Sequence, residues 1–275
     1  MSNKENPVKN NLAEFYQSWS NKSAHVIDYI NEAAVRKIDV ILNGMPAVRS
    51  LKIKTMIDFG CGYGKTLQNC AERLNLEKAY GFDFSETAID YAAGNFGSAK
   101  LEYHRLMSLD IDESLKFMKS ITGGRIDCIL LIDLLEHVPD CKNIMLKLSE
   151  LTDLFIVKLP IEENLLNNYI LRKEYPSTKQ GNGHLREFNA NTVYYFIRNI
   201  GLTPIAEGIH IYDFKDSYPP SPVKMTMRPF LTTNIIKLFR MTVALLLPKK
   251  IYIRLFGPGS YYCVATFSKD HILNP

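Results

Sequence analysis

Residues 55–67, Thr-Met-Ile-Asp-Phe-Gly-Cys-Gly-Tyr-Gly-Lys-Thr-Leu, constrain the fold more than any other stretch of this chain. A short apolar run, Met56 and Ile57, ends in Asp58, and Gly60, Gly62 and Gly64 then occupy alternating positions. Leu67, Cys70, Ala71 and Leu74 follow at helical spacing. Strand, glycine turn and helix in that order form the layout in which a backbone can press against a nucleotide-like ligand. Glycine permits positive φ in the sharp bend and carries no Cβ to hold a ligand away. A dinucleotide turn reads Gly-x-Gly-x-x-Gly, but its third glycine would fall on Lys65. Asp58-Phe59-Gly60 also spells a kinase magnesium motif, yet neither a kinase catalytic loop nor a phosphate loop accompanies it.

The pattern Asp-x-Gly-x-Gly-x-Gly resembles the first motif of the class I S-adenosylmethionine (SAM)-dependent methyltransferases. The resemblance implies that the turn Gly60, Cys61, Gly62 and Gly64 lies under the methionine part of SAM, and that Asp58 orients its amino group. It implies a second-motif carboxylate at the end of the next strand, Lys78–Phe82, where Asp83 stands 19 residues beyond Gly64, followed by Phe84. A carboxylate there accepts both ribose hydroxyls; the competing role, capping the next helix, fits Ser85 better. At the end of the third strand, Leu101–Leu106, the family has an acidic residue for the adenine amino group. This chain departs from it with Met107 and Ser108, and Asp110 stands further along. Met107 is expected to pack on the adenine face and Ser108 to meet the ring edge.

Arg125–Ile132 is nearly all apolar after Asp127, as a strand buried on both faces should be. It runs into Asp133-Leu-Leu-Glu136-His137-Val-Pro139, which resembles the fourth motif of the family's small-molecule branch. Strand ends carry the ligand site in such sheets, so Asp133 and His137 are expected to border the transferred methyl; capping or packing is the other reading of His137. A fifth strand, Leu154–Pro160, leads into an irregular stretch, 161–183, that ends at His184. The resemblance puts such a histidine beside the acceptor, and imidazole chemistry makes His184 a base candidate; a surface loop histidine is the plainer reading. The family's catechol-type magnesium ligands are not evident in this spacing, and no metal site is expected.

The fold that follows is α/β, a Rossmann-like, doubly wound, seven-stranded sheet. It is mostly parallel, with Leu202–Tyr212 sixth and an antiparallel Tyr261–Phe267 last. Residues 11–43 have helical spacing up to Gly44 and Pro46. Residues 1–45 are expected to form a tail and helices closing the pocket, with Tyr16 and Trp19 as candidates to touch SAM. Residues 46–275 are expected to form the methyltransferase domain, with an inserted lid at about 213–260. Within that insertion 230–247 reads as a helix, and 230–254 combines apolar and basic residues. A packing lid, a dimer contact and a membrane-surface helix are the three readings of it.

The 275 residues, 46% hydrophobic and 23% charged, suffice for one large globular domain. A net charge of +4 argues against a dedicated nucleic-acid binder. The excess sits at the C-terminal end, where 213–275 hold nine Lys/Arg against three Asp/Glu. Five scattered cysteines suggest a reducing compartment. With a polar N-terminus and no long apolar run, the expectation is a cytoplasmic monomer or homodimer. It would move a methyl group from SAM to an O or N atom of a small molecule, with a saccharide or an anionic metabolite as the candidates, leaving S-adenosylhomocysteine (SAH). A lipid acceptor at a membrane, and a SAM- or nucleotide-binding protein without catalysis, are the alternatives.

Overall fold

A computed structural model describes residues 24–163, 165, 184–212, 238–239, 242–256 and 259–268. Its elements are α1 (Ala24–Gly44), α2 (Pro46–Ser50), β1 (Thr55–Phe59), α3 (Lys65–Leu74), β2 (Lys78–Asp83), α4 (Glu86–Phe96), β3 (Leu101–Arg105) and α5 (Ile111–Thr122). They continue as β4 (Cys128–Ile132), α6 (Cys141–Leu148), β5 (Leu154–Ile161), α7 (Thr192–Asn199), β6 (Leu202–Ile211), α8 (Lys249–Phe256) and β7 (Gly259–Phe267).

The seven strands lie in the order β3-β2-β1-β4-β5-β7-β6. β1 to β5 are parallel, and β7 enters between β5 and β6, antiparallel to both. The order reverses at β1, which pairs β2 on one side and β4 on the other. That is the switch point at which an open α/β sheet binds its ligand. Every residue of β4 is buried, because helices cover both faces of the sheet. One face packs α5, α6, α7 and α8 through Leu115, Met118, Met145, Leu148, Val193, Ile197, Tyr252 and Ile253. The other packs α1, α3 and α4 through Ile38, Ile41, Leu67, Cys70, Ile89 and Ala92.

Local chemistry sets the boundaries. Ser85 is the N-cap of α4, its hydroxyl accepting from the Ala88 N–H at 3.2 Å. Asp110 is the N-cap of α5 and accepts from the Asp112 and Glu113 amides. That occupies the residue that could have stood in for the missing third-strand acid. Gly201 follows α7 at φ 89°, a left-handed stop.

Part of the insertion is described. α8 buries Tyr252 and Ile253 in the core and ties Arg254 to Asn191 at 2.7 Å, so it is a packing helix against the sheet. Its faces alternate because Tyr252, Ile253 and Phe256 share one side at helical spacing. The rest of 213–241, apart from 238–239, lies outside the described residues, as do Tyr16 and Trp19. No described helix is long and apolar enough to cross a membrane. Each of the five cysteines is a buried free thiol.

Candidate active site

A cavity of about 680 Å³ opens at the switch point. Its floor is the β1–α3 turn, where Gly60, Gly62 and Gly64 have φ of 84°, 51° and 81°. The three serve different ends. A Cβ on Gly64 would lie 2.6 Å from Ala92 and Tyr103, so packing requires that glycine, whereas one on Gly60 would meet the end of the Leu134 side chain at 2.9 Å and it is the positive φ that asks for glycine there. A Cβ on Gly62 would meet nothing within 4 Å: its bare backbone faces open space, as a cradle for a ligand must. Gly81, which the sequence did not single out, lets Tyr103 close over the turn and donate to the Gly64 carbonyl at 2.9 Å.

Asp83 holds the turn to β2. One carboxylate oxygen accepts from the Gly62 N–H at 2.8 Å and the other from the Ser85 N–H at 2.9 Å. Burial raises its pKa against the pull of those amides. Asp58, one strand over, is buried as well, and burial, then the Asp83 charge, push it up to about 7. Both carboxylates, Cys61 and Phe84 line the cavity.

The adenine-side expectation changes. Met107 is 80% exposed, and neither it nor Ser108 lines the cavity. The Ser108 hydroxyl instead accepts from the Asp110 N–H at 3.1 Å, and its carbonyl accepts from the Ser114 hydroxyl at 2.9 Å. The chain turns outward directly after β3 to start α5, so the wall falls to Leu109, Ile111 and Ser114.

Beyond β4 the backbone turns sharply at Asp133, φ 51°. Its carboxylate bridges Lys158 of β5 at 2.5 Å and Lys37 of α1 at 2.7 Å. Burial disfavours the ionised form, but the two ammonium groups hold Asp133 well below the usual carboxylate range. Burial likewise opposes the charge on Lys158, and Asp133 more than restores it. Asp133 borders the cavity as a member of this clasp.

The next turn presents Glu136 and His137, and His184 comes to them from far along the chain. The His137 and His184 rings meet edge to face with centroids 4.7 Å apart. His184 Nδ1 lies 2.7 Å from a carboxylate oxygen of Glu162. Arg186 makes this meeting. Its guanidinium donates to the Leu135 carbonyl at 2.8 Å, to the Pro139 carbonyl at 2.9 Å and to the Val138 carbonyl, while the Leu185 N–H donates to the backbone carbonyl of Glu136 at 2.8 Å. Glu136 is fully buried, and burial, then the Asp133 charge, push it up to about 8. His210 and Tyr212 complete this end of the cavity.

Sequence reasoning missed Lys37, Lys158, Glu162 and Arg186 and gave Glu136 no role. Each acts through a partner distant in sequence, so only the buried charge of Lys158 in an apolar strand could have pointed to one of them.

The family described as "Methyltransferase domain" matches residues 51–181. No curated protein matches the chain. Among solved structures, a SAM-dependent methyltransferase of Anabaena variabilis is similar at TM-score 0.56 and 17% identity, covering 94% of this chain and 95% of that one. Magnesium protoporphyrin IX methyltransferase of Synechocystis PCC 6803, solved with bound SAH, is similar at TM-score 0.53 and 15% identity, covering 94% and 100%. A putative methyltransferase of Haloferax volcanii in complex with the Trm112 activator is similar at TM-score 0.55 and 13% identity, covering 92% and 97%. With the glycine cradle and paired carboxylates at its switch point, residues 51–181 carry a methyltransferase domain, set in a chain with the fold of SAM-dependent methyltransferases, for which SAM is the donor and SAH the product.

Proposed function

We propose that this enzyme methylates an O or N atom of a small-molecule acceptor that enters beside His137 and His184. The observation that carries this reading is the cavity itself, which runs without a break from the glycine cradle to the two histidines. Its volume, about 680 Å³, lies in the range of small-molecule sites. SAM bound there supplies an electrophilic methyl on a sulfonium whose leaving thioether needs no proton. The protein's work is therefore alignment and exclusion of water. Asp83 holds the ribose, Asp58 the amino group, and Phe84 with Leu109 and Ile111 the base. The clasp of Asp133 with Lys37 and Lys158 keeps the middle of the cavity rigid. With protein groups alone, His184 is the base, oriented by Glu162. His184→Ala is expected to lower turnover at least tenfold and leave SAM affinity within twofold. Equal loss of both, measured by calorimetry and single-turnover kinetics, would remove His184 from the acceptor side.

A lipid acceptor has an observation of its own. Leu245 and Leu246 are 87% and 77% exposed, with Leu238 and Phe239 exposed as well, close in sequence to Lys249. Apolar side chains beside basic ones suit an anionic bilayer surface. Flotation with anionic vesicles decides: co-flotation supports the lipid reading, and protein left at the bottom of the gradient removes it.

A further inference from the structure

We propose that Glu136, His137 and His184 form a divalent transition-metal site at the acceptor end of the cavity. One ligand atom from each lies within 4.8 Å of the others. Bonds of about 2.1 Å to nitrogen and oxygen span such a separation after modest rotation of the side chains. Glu136 is 0% exposed, and among the described residues neither of its carboxylate oxygens meets a hydrogen-bond donor. A carboxylate buried without partners costs stability unless something pairs with it. Here the group lines the cavity, so the partner can arrive from it.

The surroundings are those of a ligand set. Glu162 holds Nδ1 of His184, which fixes the tautomer that leaves the Nε2 lone pair for an ion. Arg186 and the Leu185 amide lock the two ligand-bearing segments together. Lys37 and Lys158 are engaged by Asp133, and among the described residues neither forms a hydrogen bond with the Glu136 carboxylate. Two imidazoles and a carboxylate favour manganese, iron, cobalt or zinc over magnesium and calcium. Three protein ligands leave coordination positions open, the mark of a catalytic site.

This assignment rests on the methyl-transfer reading and narrows it. The acceptor it fits bears a hydroxyl, or two neighbouring ones, able to occupy the open positions. Coordination lowers the pKa of such a hydroxyl. The O–H bond breaks, the proton passes to solvent water, and the electron pair stays on oxygen as the nucleophile. The imidazoles then hold the ion instead of taking the proton.

The test is titration of tag-free, chelator-treated protein with Co²⁺, followed by visible absorption, and with Mn²⁺, followed by electron paramagnetic resonance. One equivalent is expected to bind. Glu136→Gln and His184→Ala are expected to weaken binding at least tenfold, and Glu162→Gln about tenfold. Calorimetry with SAM on the same samples confirms that each variant is folded. Absence of saturable binding, or binding unchanged in Glu136→Gln and His184→Ala, overturns the site. Protein that binds SAM but no ion loses only this site and keeps His184 as base. Protein that binds the ion but not SAM loses the methyl-transfer reading instead.

Discussion

Asp58 and Asp83 end neighbouring strands, both buried, yet their surroundings prepare them for different partners. Asp83 already accepts two amides, so its oxygens are aimed before any ligand arrives. Asp83→Ala is expected to weaken SAM binding by about 2 kcal/mol or more, because a charge-assisted pair is lost in a buried place. Calorimetry checks this, and an unchanged affinity would mean that the ribose is held elsewhere. Asp58 sits near pH 7 in the free protein through burial and the Asp83 charge. A bound ammonium favours its ionised form, so binding lowers its pKa and expels a proton wherever Asp58 is protonated beforehand. SAM affinity is therefore expected to be level above pH 7 and to fall by up to about tenfold per unit below it. Asp58→Asn should flatten the profile. The place of both residues beside the cavity was legible because it follows from position: an acid at a strand end, next to a glycine turn. Met107 was misread because register predicts where a strand points, but not where the chain leaves it.

At the scale of elements, the acceptor end is made by two loops held face to face. The loop after β4 carries Glu136 and His137, and the segment before α7 carries His184 and Arg186. Arg186 spends its whole fork on carbonyls of the first loop and approaches Cys141 Sγ at 3.2 Å. Arg186→Ala strips those carbonyls of their charged donor, leaving Leu135 and Val138 only the weaker Cys141 thiol and Val138 N–H contacts, and is expected to cost about 2 kcal/mol or more in urea unfolding. Turnover should fall while SAM affinity stays within twofold, since the glycine turn is untouched. Arg186→Lys should recover little, because an ammonium cannot reproduce the planar fork. The strands and helices here were readable from periodicity: β4 is apolar throughout and α7 ends at Gly201 as its sequence demands. The pairing of the loops was not, because no local pattern tells an arginine which carbonyls it will find. The insertion shows the same limit: helical spacing marks an apolar face but does not name the surface that covers it.

At the scale of the molecule, the sheet order and the switch point were foreseeable from the succession of strands and helices. N-terminal helices were expected beside the pocket, but the residues that tie the first of them to it were not. α1 is fixed to the body by its apolar face and by a few polar ties, among them Asn31 to the Tyr91 hydroxyl at 3.1 Å and Lys37 to Asp133. It also supplies one wall of the cavity through Tyr29, Ala33, Lys37 and Val40. Hydrogen exchange of the amides of 29–41 is expected to slow at least tenfold when SAM is present, with β4 little changed. Equal protection with and without SAM would show that the wall stands independently of its contents. The Lys37–Asp133 tie has a broader meaning. A carboxylate lining the cavity and the first helix answer to one another, so filling the site and seating that helix are expected to be a single equilibrium viewed from two ends. Whatever loosens the helix, even at its solvent side, is then felt as weaker donor binding, and a scarcity of donor is felt as a looser helix.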